Sequence, residues 1–96
     1  MESVIRVVPH DDFTLELWFS TGDHRLFDAR PYLKRGVFTR LQNNALFKQA
    51  FVALDTVCWP GDLDIAPETL YDRSAPFEEA ANASVKSFQT GLGHNF

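Results

Sequence analysis

Apolar and polar positions alternate most clearly from Phe13 to Phe19. Phe13, Leu15, Leu17 and Phe19 fall on one side, and Thr14, Glu16 and Trp18 on the other. That is the period of a half-buried strand. Before it, Val4-Ile5-Arg6-Val7-Val8 is short, β-branched and stopped by Pro9, which predicts another strand, with His10-Asp11-Asp12 as the turn between them. Ser20-Thr21-Gly22-Asp23 predicts a hairpin turn in which Gly22 supplies a positive φ, and His24 to Asp28 is the returning strand. Read as a two-residue loop at Thr21-Gly22, the hairpin pairs Phe19 with His24, Leu17 with Leu26, Trp18 with Arg25 and Glu16 with Phe27. The inner face is then Phe13, Leu15, Leu17, Phe19 and Leu26. The outer face carries Trp18, Arg25 and Phe27, with Arg25 set for a cation–π contact on Trp18.

Farther along, Asp28 is a candidate N-cap and Pro31 fits only a first helical turn. Gly36 breaks the chain, and Asn43-Asn44 splits Val37 to Phe47 into two short helical turns. Phe51 to Trp59 is a second strand-rich region, turned at Asp55-Thr56. Pro60-Gly61 then reverses the chain so that Leu63, Ile65 and Leu70 close the core. Pro67-Glu68 opens the last ordered turn, with Asp62, Asp64 and Ala66 all open as its cap. Buried positions are expected at Leu15, Leu17, Phe19, Leu26, Phe38, Leu41, Phe47, Val57, Trp59 and Leu70.

After Arg73 the composition shifts to Ala, Ser, Asn, Gln and Gly. Pro76 to Gln89 patterns as a weak helix with Phe77, Ala80, Ala81, Ser84, Val85 and Phe88 on one face. The expected fold class is α+β: a small antiparallel β-sheet with short helical segments and a C-terminal tail or helix. Residues 1–73 form one domain, and residues 74–96 a tail that packs on the sheet or on a second subunit.

Composition narrows the function classes. An apolar content of 45% with nine phenylalanines supports a folded core, since each large aromatic buries about 150–250 Å². The net charge of −4 argues against a general nucleic-acid binder. The lone Cys58 excludes an internal disulfide and a cysteine-based zinc site, and reads as a small buried hydrophobe. No apolar run approaches the roughly 20 residues that span a bilayer. The opening Met-Glu-Ser-Val-Ile-Arg has no charged stretch leading into a long apolar core, so a secretory leader is not expected and the expected location is cytoplasmic.

Candidate chemistry is sparse. His10-Asp11-Asp12 reads as a solvated turn and His24 as a strand residue, rather than as a metal or acid–base site. Asp62 and Asp64 lack a third converging acid. No catalytic residue, cofactor or metal is expected, and the chain is not read as an enzyme. Two charged segments remain. Arg30, Lys34, Arg35 and Arg40, interleaved with Tyr32 and Phe38, form a basic patch of a kind that can clasp a nucleic-acid backbone. Asp55, Asp62, Asp64, Glu68 and Asp72 form its acidic counterpart.

The ordered stretch Val57-Cys58-Trp59-Pro60, Leu63-Asp64-Ile65, Pro67 and Leu70-Tyr71 has a specific pattern. It follows Phe19-Ser20-Thr21-Gly22-Asp23, Phe27-Asp28, Gly36-Val37-Phe38, Leu41 and Leu46-Phe47. Across roughly residues 1–73 the chain resembles the small bacterial family called domain of unknown function 2442, with Trp59, Pro60, Asp64, Pro67, Leu70 and Tyr71 as the most specific part. The resemblance implies a compact α+β domain and brings no catalytic residues. It also implies a toxin–antitoxin-like pairing with another small protein. Members can carry a helix-turn-helix segment, for which the tail here is too short and too rich in Gly, Ser and Asn.

The functional expectation is therefore a non-catalytic protein–protein interaction module. Its partner is expected to be a second copy (a homodimer) or another small protein, and no membrane. The expected surface is Trp18, Arg25 and Phe27, together with Phe77, Val85 and Phe88 of the tail. The alternative is nucleic-acid binding or regulation through the Arg30–Arg40 segment.

Overall fold

A computed structural model describes residues 2–82. Val85 and Phe88, expected on the tail's apolar face, lie outside the described residues. The chain is α+β, with two small antiparallel sheets and a few short helices. Strands β1 (Val4–Pro9), β2 (Thr14–Phe19) and β3 (His24–Asp28) form a meander, which β7 (Ala75–Pro76) extends beside β3. Strands β4 (Phe51–Ala53), β5 (Thr56–Trp59) and β6 (Leu63–Ile65) form a second, three-stranded meander. Between the sheets run two 3-10 segments, Arg30–Tyr32 and Gly36–Gln42, and the single-turn helix α1 (Asn44–Phe47). Helix α2 (Pro67–Asp72) follows β6.

Each break has a local cause. Pro31 sits inside the first 3-10 turn, where its missing N–H costs nothing, and Asp28 receives the Arg30 amide at 3.0 Å. Asn43 caps α1, its side chain accepting from the amides of Ala45 and Leu46. Helix α2 begins at Pro67 with Ala66 as its cap residue, so neither Asp62 nor Asp64 caps it. At Pro60-Gly61-Asp62 the chain reverses through positive φ at Gly61 and Asp62 and returns as β6, pairing Trp59 with Leu63.

The first hairpin departs from the expected register by one residue. The Phe19 amide donates to the Asp23 carbonyl and the Gly22 amide to the Phe19 carbonyl, which makes Ser20-Thr21-Gly22 a three-residue loop ending on Gly22 at φ 93°. Trp18 therefore pairs with His24, Glu16 with Leu26 and Leu15 with Phe27. Phe27 is fully buried in the core rather than on the outer face, and Leu26 turns outward and is only half-buried. Arg25 shares the side of Leu17 and covers Tyr71, not Trp18. Phe13 lies before the strand at φ 65°, half-buried with its ring edge-on to Phe47.

A bulge keeps β1 in phase. Val4 pairs with Phe19 and Arg6 with Trp18, so Ile5 is the extra residue and points to solvent. Strict alternation from Val4 would have turned Arg6 into the core opposite Leu17. The two sheets share one core of Val4, Leu15, Leu17, Phe19, Phe27, Val57, Trp59, Leu63 and Ile65, closed by Leu33, Leu41, Phe47 and Leu70. Phe38, expected inside, is only partly buried against it. The Val4 amide joins the sheets directly, donating to Asp55 at 2.9 Å. Trp59 is buried to 1% exposure and donates its Nε1–H to the Phe47 carbonyl at 2.8 Å.

Candidate functional site

The outward face of the larger sheet collects the side chains that the core does not use. Alternation on β1, β2 and β3 places Arg6, Val8, Glu16, Trp18, His24 and Leu26 on this side. One row across the strands is a continuous stack. The Arg6 guanidinium lies 4.5 Å from the centroid of the Trp18 ring. On its other side Trp18 stacks on the His24 imidazole at 4.5 Å, and His24 stacks on Phe77 at 4.2 Å with the rings nearly parallel. Phe77 opens the helical residues 77–82, immediately after β7. The tail thus reaches the sheet through His24.

Glu16 is the hub of the adjoining row. One carboxylate oxygen lies 3.0 Å from Nε2 of His10 and the other 2.6 Å from Nε2 of His24. The Glu16 side chain keeps only 15% of its exposure, against 41% and 33% for the two imidazoles. His10, expected in a solvated turn, and His24, expected as a strand residue, therefore meet on one acid. Chemically this is a shared carboxylate that fixes two imidazoles, and one of them is also held between aromatic rings. It sits on an open sheet face, away from the concavities lined by Phe51 and Cys58 and by Tyr32 and Arg35. Among the described residues no cluster of His, Cys, Asp and Glu has the arrangement to hold a metal ion.

A second cluster fastens α2 to the hairpin edge. Tyr71 donates its hydroxyl to Asp23 at 2.9 Å, packs edge-on to Phe19, and lies under the Arg25 guanidinium. Arg25 in turn donates to the Ser74 hydroxyl and carbonyl, both at 2.6 Å. Hydrogen bonds from Thr21 and then Tyr71 hold the Asp23 carboxyl below its ordinary range, and the bond to Asp23 pushes the Tyr71 phenol up. Arg25 is therefore a clamp for the chain entering β7.

The basic segment is dispersed. Arg30 is paired to Asp28 at 2.8 Å, and that hydrogen-bonded partner holds the Asp28 carboxyl below its ordinary range. Lys34 is exposed. Arg40 lies against the β5–β6 turn, where its guanidinium would stand 3.1 Å from a Cβ at Gly61. Arg35 lines a concavity of about 260 Å³ with Pro31, Tyr32 and Arg73. The other concavity, of about 330 Å³, follows the outward side of the smaller sheet and includes Phe51, Leu54, Cys58 and Asp64. Burial, and then the nearby Asp64 carboxylate, push the Cys58 thiol up, which is the opposite of an activated nucleophile.

Of the residues with the specific pattern, Trp59 and Leu70 are core, Pro60 is at the turn, Asp64 is exposed on β6, Pro67 starts α2, and Tyr71 is the staple to Asp23. Their spacing thus encodes how β5, β6 and α2 close over the core. The family model for a protein of unknown function, DUF2442, matches residues 4–76, from the first residue of β1 to the last of β7. The chain belongs to the DUF2442 family. That match covers both sheets and α2, so the outward row up to His24 is built on DUF2442 strands, whereas Phe77 falls just past the matched residues. No curated protein and no solved structure matches the chain. Among the described residues no helix is long and apolar enough to cross a membrane.

Sequence reasoning missed Arg6, Glu16 and His24 as one constellation, and Arg73 as a partner of Arg35. For the first group a signal was present. Ser20-Thr21-Gly22 with glycine last fits a three-residue loop as well as a two-residue one, and the longer loop sets His24 opposite Trp18.

Proposed function

We propose that this DUF2442 chain is a non-catalytic protein–protein interaction module that docks a partner protein on the outward face of its larger sheet. The observation that carries this reading is the Arg6–Trp18–His24–Phe77 stack. It sets an exposed arginine and three half-buried rings in one row on the outward side, and arginine and aromatic residues are favoured at interface centres. Glu16 supports it by fixing His24 from below, which reduces the ordering cost of binding. The finer form of the proposal is a toxin–antitoxin-like pair with another small protein, or self-association in which the tail, beginning at Phe77, makes the first contact.

The reading is tested by pull-down of the tagged full chain from its host, with and without nuclease, beside light scattering. A nuclease-resistant partner should be captured by the wild type and lost in Trp18→Ser, with the melting curve still cooperative. Retention of every partner by Trp18→Ser and by His24→Ser would overturn the assignment of this face. Nucleic-acid binding through Arg30, Lys34, Arg35 and Arg40 makes a different prediction: capture that is nuclease-sensitive and falls steeply with salt. Engagement of Arg30 with Asp28 counts against that reading.

A further inference from the structure

The concavity between the first 3-10 turn and the end of α2 has an unusual charge. Its four lining residues are Pro31, Tyr32, Arg35 and Arg73, and none is acidic. Folding brings Arg35 and Arg73 together from distant parts of the chain. Among the described residues neither guanidinium takes part in an ion pair, whereas Arg30, on the same 3-10 turn as Tyr32, is fully engaged by Asp28. Both arginines line one concavity whose lining carries no carboxylate, so an anion there would meet two cations and no competing acid.

The floor is rigid enough to define a site. Tyr32 packs its ring against buried Phe27 at 5.2 Å, and the Arg35 amide donates to the Tyr32 carbonyl, which fixes where Arg35 leaves the backbone. Arg73 is the C-cap residue of α2, its amide bonded to Thr69 and Tyr71. Tyr32 lines the same concavity, and its hydroxyl is a further donor that such a site can use. At about 260 Å³ the concavity is smaller than the roughly 300–1,000 Å³ of whole-ligand pockets, so it suits a charged head group rather than an entire molecule.

We infer that Arg35, Arg73 and Tyr32 form an oxyanion site for a phosphate dianion, either free or as a small phosphomonoester. Guanidinium forks match tetrahedral phosphate oxygens, and two of them match a charge near −2. The site lies apart from the stacked row on the outward sheet face and shares no residue with it, so either reading can fail without the other.

The test is a titration of the full chain with inorganic phosphate at low, constant ionic strength, followed by amide chemical shifts, with chloride as control. Saturable shifts centred on residues 31–35 and on Arg73 are expected. Arg35→Gln and Arg73→Gln should each weaken binding about tenfold while leaving the fold's spectrum in place. Arg30→Gln, which removes a cation already paired with Asp28, should leave the affinity unchanged. Phenyl phosphate binding as well as phosphate identifies a monoester site, and binding of phosphate alone identifies a site for the free ion. Shifts that do not saturate, that chloride reproduces, or that Arg30→Gln reduces as much as Arg35→Gln would overturn the site. A short single-stranded oligonucleotide that binds through Arg35 and Arg73 while phosphate does not would overturn the dianion assignment.

Discussion

The outward faces of the two sheets are built on opposite plans. On the larger sheet, apart from the bulged Ile5, one row of outward groups is held member by member: Arg6 by Trp18, Trp18 by His24, and His24 by Phe77 and Glu16, which also holds His10. On the smaller sheet Phe51 is 45% exposed and Leu54, in the turn between β4 and β5, is 90% exposed, while among the described residues the Cys58 thiol has only the Ala53 carbonyl at 3.7 Å. Both faces lie over the same core. The difference teaches that apolar exposure alone is a poor pointer to a site, whereas a face whose groups fix one another's geometry is an organised surface.

The largest effect should come from beneath both faces. Trp59→Ala removes a buried ring and its hydrogen bond to the Phe47 carbonyl, at a cost of about 3–5 kcal/mol in denaturant unfolding. For a domain whose whole stability is about 5–15 kcal/mol, that threatens folding, and it should abolish the distinction between the faces together with the faces.

Next in size is the pair that tests which way β3 faces. Phe27→Ala should cost about 3–5 kcal/mol, and Leu26→Ala only about 1 kcal/mol, because Phe27 is fully buried and Leu26 is on the outward side. Equal costs by chemical denaturation would mean that the outward row had been assigned to the wrong residues.

A smaller contrast compares the faces directly. Trp18→Ala breaks two stacked contacts, each worth about 0.5–1.5 kcal/mol, whereas Phe51→Ser should change stability by no more than about 0.5 kcal/mol. Thermal melts of the two variants decide whether the outward network is real in energy as well as in geometry.

The smallest effect is in acid. Asp23 and Asp28, at the two ends of β3, have carboxyls held low by Thr21 and Tyr71 and by Arg30 respectively. A folded value below the unfolded one means these groups add stability above the unfolded value, near about pH 4, and lose it as pH falls through the folded value. The melting temperature should therefore fall below about pH 4, and Asp28→Asn should flatten that fall.

Much of this architecture was legible in the residues. The alternation of Leu15, Leu17 and Phe19 gave the inner side of β2, Asn43 marked the break before α1, and Pro60-Gly61 marked the turn that returns Leu63 and Ile65 to the core. The side assigned to β3 was not, because one loop residue decides it and Ser20-Thr21-Gly22-Asp23 admits two loop lengths. The bulge at Ile5 was equally hidden, since β-branched residues run through it without a break in pattern. The outward row and the Arg35–Arg73 concavity depend on contacts between segments far apart in the chain, such as Phe77 with His24. Local periodicity carries no record of them.

The short pairing at Ala75–Pro76 has a consequence for whatever polypeptide follows it. Proline has no amide hydrogen to continue a ladder, so pairing stops there, while Arg25 anchors Ser74 just upstream. The next residue, Phe77, already rests on His24. The end of the sheet is thus a fixed tether point beside the stacked row. A group held at that point, as Phe77 is, meets the row at an effective concentration in about the millimolar range rather than at that of a free molecule. Contacts too weak to bring two free molecules together can then decide whether the row is covered or open.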